Sequence, residues 1–186
     1  MILRWFQELN KHFSLFGEAS FFYKPVGADK TFGLTGQVAK ERLQILLKSK
    51  DSSFIYHCTN HYFCPIGYER EPINHSGIFY ENPEEGYLEE FLDWFIIADC
   101  SRKYQQFHCI RWDDIDKDLN LKCPDFLNVR HLDRGVQQNG YKKKAEKNLH
   151  CIIHLKKLHS DPFIYSDLRL KFTDEKEDTL TDEYYD

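Results

Sequence analysis

Three histidine–cysteine dipeptides, His57-Cys58, His108-Cys109 and His150-Cys151, concentrate the metal- and proton-handling chemistry of this sequence. Thiolate and imidazole are zinc's preferred ligands. The first pair runs on to His61 and Cys64, so His57, Cys58, His61 and Cys64 are the candidate zinc set. Their spacing opposes a closed site. Successive strand residues point to opposite faces, so His57 and Cys58 cannot both turn toward one ion. No CxxC pair occurs anywhere in the chain. Small thiols packed between strands are the simpler reading, and neither a metal nor another cofactor is expected.

The sharper chemistry is acid–base. His61 opens the run His61-Tyr62-Phe63-Cys64-Pro65-Ile66-Gly67-Tyr68. Papain-like cysteine proteases place their imidazole base at the start of such a strand, and the Asn or Asp that orients it at the end of the next. Here the next strand is read over Trp94–Ala98, and Asp99 ends it. A carboxylate there would fix the ring tautomer and stabilise the imidazolium. A surface histidine with an unrelated aspartate is the plainer alternative. What is missing is a nucleophile, which in that arrangement starts a helix whose dipole supports the thiolate. Before His61 the chain offers only Cys58, in the same hairpin. No catalytic residue is therefore assigned: His61 and Asp99 are vestigial candidates, and the chain reads as a pseudoenzyme.

The elements that must position these residues follow from periodicity. Ile2, Leu3, Phe6, Leu9 and Phe13 recur at helical spacing, and Ala19–Tyr23 reads as a short strand. Thr35 caps a second helix whose stripe is Val38, Leu43, Leu46 and Leu47. Ser53–Cys58 and His61–Tyr68 form a hairpin across Thr59-Asn60, since Asn tolerates positive φ. A short helix is expected at 86–93, a strand at 94–99, and a helix on Trp112, Ile115 and Leu119. Phe126–Leu132 and Asn148–Leu158 read as two more strands joined across Gly135, Gly140 and a lysine cluster. Helices first and antiparallel strands after give the α+β class, an antiparallel sheet with flanking helices.

Composition narrows the function classes. A chain of 186 residues suits one domain, read here over residues 1–172, and at this size folding hides roughly 70% of the chain's surface. Fifteen Phe, eleven Tyr and three Trp make the interior aromatic, and Met1 is the only methionine. Residues 173–186 form an acidic C-terminal tail, with seven acids against Lys176 from position 174 onward, a net of −6 that leaves the rest of the chain, whose total is −5, at +1. Such a tail is a solvated, disordered end, or it docks on a basic partner through Tyr184 and Tyr185. The near-neutral body gives no electrostatic mandate for nucleic acid, and Lys142, Lys143, Lys144 and Lys147 read as a solvated loop tip. No apolar run approaches the ~18 residues of a membrane span. Arg4, Glu8 and Lys11 interrupt any secretory core, so a cytoplasmic setting with six reduced thiols is expected.

The stretch Tyr56-His57-Cys58-Thr59-Asn60-His61-Tyr62-Phe63-Cys64-Pro65-Ile66-Gly67-Tyr68-Glu69 resembles the signature of the basic immunoglobulin-like variable motif-containing protein family. Leu3-Arg4-Trp5-Phe6, Tyr23-Lys24-Pro25, Ser101-Arg102-Lys103, Arg130-His131-Leu132-Asp133-Arg134-Gly135 and Asn148-Leu149-His150-Cys151-Ile152-Ile153 extend the likeness over roughly residues 3–155. It implies the sheet half of a papain-like fold. Longer relatives carry, upstream of the equivalent of Met1, a Cys-Gly pair preceding a helix, and this chain is expected to begin after that point. No spacing of an immunoglobulin sandwich is present.

The same resemblance implies a structural protein of the ciliary axoneme, similar to an inner protein of doublet microtubules. Tubulin and other axonemal proteins would be its partners, with aromatic side chains as anchors. The rival reading is a papain-like thiol hydrolase whose nucleophile lies outside this chain.

Overall fold

The computed structural model of the chain describes residues 2–58, 61–73, 91–101, 107–138 and 148–158. The expected hairpin turn Thr59-Asn60, residues 86–90 of the expected short helix, the lysine cluster and the acidic tail lie outside the described residues. Described residues 2–18 and 156–158 belong to one compact unit, and those between 19 and 155 to another.

In the smaller unit, helix α1 (Ile2–Phe13) carries Lys11 and His12 in its last turn, and the Lys11 ammonium suits the negative end of its dipole. Asn10 donates its amide to the Gly17 carbonyl at 2.8 Å. A Cβ on Gly17, the first residue of the strand that follows the helix, would stand 3.0 Å from both Asn10 and the Phe6 ring, so this close approach favours the smallest residue.

The larger unit is an α+β structure built on a six-stranded sheet. Its strands are β1 (Gly17–Tyr23, in this unit from residue 19), β2 (Ser52–Cys58), β3 (His61–Pro72), β4 (Phe91–Ala98), β5 (Phe107–Arg111) and, last in the chain, β8 (Cys151–Lys157, in this unit as far as residue 155). They lie in the order β1-β8-β2-β3-β4-β5, antiparallel from β2 through β5. The β2–β3 hairpin forms in the expected register, with Cys58 opposite His61 and Tyr56 opposite Phe63. Alternation along β4 buries Asp93, Phe95 and Ile97, and the strand begins at Phe91 rather than 94. Residues 91–93, expected to close a helix, are thus strand, because their in–out pattern continues that of 95 and 97.

Helix α2 (Gly36–Leu46) is capped by Thr35, whose hydroxyl accepts from the Val38 amide at 3.3 Å. Its buried pair is Ala39 and Leu43, one turn apart, with Leu46 and Leu47 packed partly against the core. Val38, expected on that stripe, is exposed, since the helix rotates the smaller Ala39 toward the sheet. Lys40 and Gln44 from α2 reach the buried Asp93 at 2.6 and 2.7 Å, and Arg70 reaches it from β3 at 3.1 Å. Burial pushes the Asp93 carboxyl up, but these partners, led by Lys40, hold it below its ordinary value.

Helix α3 (Trp112–Asn120) buries Trp112, Ile115, Asp118 and Leu119. The strand expected over Phe126–Leu132 is only β6 (Asp125–Leu127). A 3₁₀ turn (Leu132–Arg134) and Gly135, at φ 61°, return the chain into β7 (Val136–Gln138), which pairs with β6. The β8 strand therefore joins the main sheet beside β2 instead of pairing with residues 126–132. It starts at Cys151, later than expected, because Asn148 is committed to the end of α3. Its amide donates to the carbonyls of Asp118, Leu119 and Leu121 at 3.0, 3.2 and 2.8 Å.

Candidate functional site: a histidine–aspartate pair at the end of the hairpin

One step beyond the Cys64–Ala98 pair of the β3–β4 ladder, Asp99 stands level with Phe63, on the face that Phe63 shares with His61. The fold thus joins the two residues that the sequence singles out. His61 Nε2 lies 2.9 Å from Asp99 Oδ1, with the carboxylate fully buried and the imidazole mostly so. The same oxygen accepts from the Ser101 amide at 3.0 Å and the Ser101 hydroxyl at 2.7 Å. Arg130 Nε stands 3.7 Å from Oδ2.

These partners decide the protonation of the site. Burial alone would raise the Asp99 carboxyl, but the Ser101 hydrogen bonds and His61 outweigh it and hold it at about 2. An ionised Asp99 accepts a hydrogen bond from Nε2–H, which leaves the lone pair of neutral His61 on Nδ1. Such a ring can accept a proton at Nδ1 while the carboxylate steadies the resulting cation.

A thiol that could deliver that proton must be accessible and easily ionised. Cys58, opposite His61 in the ladder, is buried in the core, and burial together with the Asp118 carboxylate pushes its thiol up. Burial and the neighbouring Cys100 also raise Cys64, while burial takes Cys151 to about 11. Cys58, Cys64 and Cys151 all sit in strands, so none gains support from a helix N-terminus.

The four zinc candidates separate across the sheet. His57 leaves the strand opposite to Cys58, stacks on Tyr62 with ring centres 4.7 Å apart, and places Nδ1 2.8 Å from the Leu149 carbonyl. Burial lowers its pKa, with His150 adding to the effect. His61 is engaged by Asp99. Among the described residues, no group of three or more His, Cys, Asp or Glu side chains is placed to hold a metal ion.

A second histidine–carboxylate pair escaped the sequence reading. His150 Nδ1 lies 2.8 Å from Asp118 Oδ1, and the Tyr56 hydroxyl donates to Asp118 Oδ2 at 2.5 Å. Asp118 is fully buried, and burial plus this carboxylate raise Tyr56 well above its ordinary value. A signal was present: Asp118 follows Ile115 by three and adjoins Leu119, a carboxylate on the apolar face of its helix. Ser101 and Arg130 were visible only as members of motifs, with no role attached.

A family model described as "Basic immunoglobulin-like variable motif-containing protein" matches residues 1–161. The chain belongs to this family. The family member of that name from Mus musculus is 43% identical over 157 residues, covering 84% of this chain and 31% of its own. The Homo sapiens protein is 41% identical over 162 residues, covering 87% of this chain and 32% of its own. A Giardia intestinalis member is 27% identical over 149 residues, covering 71% of this chain and 55% of its own. The chain thus spans about a third of the length of its mammalian relatives. No solved structure matches it.

Proposed function

We propose that this chain is a non-catalytic structural protein that resembles an inner protein of ciliary doublet microtubules and binds tubulin and neighbouring axonemal proteins. One observation carries its non-catalytic half. The imidazole and its carboxylate are assembled at 2.9 Å, while the thiol opposite them in the ladder is buried and held protonated. The axonemal half extends the resemblance carried by the hairpin motif. Exposed Trp5, Phe13, Phe32 and Tyr62 supply aromatic side chains of the kind that anchor protein contacts. Salt extraction of isolated cilia containing the tagged chain tests the placement. Retention with the doublets in high salt is expected, and release with the soluble matrix would overturn it.

A second reading is favoured by the pair itself: a papain-like thiol hydrolase whose nucleophile comes from outside these residues. The short His61–Asp99 contact and the third of relative length that the chain spans support it. A thiol-directed electrophile applied to a full-length relative separates the readings. Rapid labelling of one cysteine, abolished when the histidine equivalent to His61 is replaced, favours the hydrolase.

A further inference from the structure

The β3–β4 register places Cys64 opposite Ala98, and Cys100 follows Ala98 by two positions. With the side-chain period of two, Cys100 leaves the strand end on the face that Cys64 occupies. They are diagonal neighbours on that face, within reach of each other's side chains, and Cys100 adds to burial in raising the Cys64 thiol. Cys100 is exposed, Cys64 is partly covered, and both are free thiols. Cys100 lies between Asp99 and Ser101, so this sulfur pair adjoins the turn that holds His61.

We propose that Cys64 and Cys100 form a reversible dithiol–disulfide site, oxidised by a small disulfide of the glutathione class and reduced by the corresponding thiol. The exposed Cys100, as thiolate, attacks one sulfur of glutathione disulfide. That S–S bond breaks, and one glutathione departs and takes up a proton. Cys64 then gives its proton to solvent and attacks the Cys100 sulfur, forming the protein S–S bond and releasing the second glutathione. Two protein thiols and one glutathione disulfide become one protein disulfide and two glutathione thiols. The exchange strings the two roles by exposure: an accessible thiol attacks, and the half-covered neighbour resolves. The resulting bridge ties β3 to the turn that carries Asp99.

The test equilibrates the full chain in buffers of rising glutathione disulfide, quenches with acid, alkylates, and maps the peptides without reduction. Two of the six cysteines should become unavailable together, with the Cys64 peptide linked to the Cys100 peptide, and reduced glutathione should restore both. Cys64→Ser should trap one glutathionyl group on Cys100, and Cys100→Ser should leave Cys64 alkylatable. Persistent glutathionyl-Cys100 in the unsubstituted chain, a bridge using any other cysteine, or no oxidation at all would overturn the proposal. The mapping on the unsubstituted chain decides the matter even if a variant fails to fold.

Discussion

His61 Nε2 and Asp99 Oδ1 are 2.9 Å apart, and the Asp99 carboxylate, which His61 shares with Ser101, is closed off from solvent. In the folded chain Asp99 titrates at about 2, against 3.8 ordinarily. A depressed carboxyl stabilises the fold fully above its unfolded pKa, and that contribution disappears as pH falls through the folded value. The window here runs from about pH 4 down to about pH 2, and the gap is worth about 2 kcal/mol. Urea midpoints of the unsubstituted chain and Asp99→Asn should differ at pH 7 and draw together by about pH 2. Parallel pH dependences for the two proteins would contradict this account.

Tyr56→Phe removes a hydroxyl that donates to the buried Asp118. The carboxylate keeps His150 but loses its other side-chain partner among the described residues, at a cost of about 1–3 kcal/mol. A double-mutant cycle with His150→Gln, read by urea denaturation, should show coupling, since both partners share one carboxylate. Additive effects would mean that the two bonds act independently.

Gly36→Ala should destabilise the chain. A Cβ at Gly36 would meet the Asp116 carboxylate at 2.6 Å, and that carboxylate is held by Tyr23 at 2.9 Å and Asn120 at 2.9 Å. Crowding of this kind costs about 1–3 kcal/mol. In an Asp116→Ala background the obstruction is gone, so the added Gly36→Ala change should be nearly neutral by thermal melting. An equal penalty in both backgrounds would place the strain elsewhere.

Native-state alkylation with iodoacetamide should label the exposed Cys100 and Cys109 at the rate of ordinary thiols. Cys58 and Cys151, buried and with raised thiols, should react only on unfolding. His61→Ala should leave every rate unchanged. One cysteine labelled far faster than a free thiol, and only while His61 is present, would refute the non-catalytic reading and raise the hydrolase above it.

Local rules located most of the framework. Helical spacing marked α1 and α3, the Thr35 cap marked α2, and the β-rich runs around Thr59-Asn60 marked the hairpin whose register is observed. Errors fell where partners distant in sequence decide. Val38 and Ala39 are both apolar neighbours, and only the rotation of α2 against the sheet selects Ala39 for burial. The turn at Gly135 diverts the chain from an expected strand into a small β6–β7 pair, leaving β8 to insert beside β2.

The site divides along the same line. Sequence by itself determined the hairpin, the alternation that sends His57 and Cys58 to opposite faces, and an acid at the end of the strand after His61, because these depend on near neighbours and a period of two. Tertiary structure decided that Asp99 touches His61, that Ser101 depresses the carboxyl, that Asp118 is shared by Tyr56 and His150, and that pairing of β3 with β4 brings Cys64 and Cys100 to one face. Each of these joins residues on different elements, or at a strand end whose path pairing must first set. Ionisation then follows from burial and partners, neither of which a residue carries in its own type.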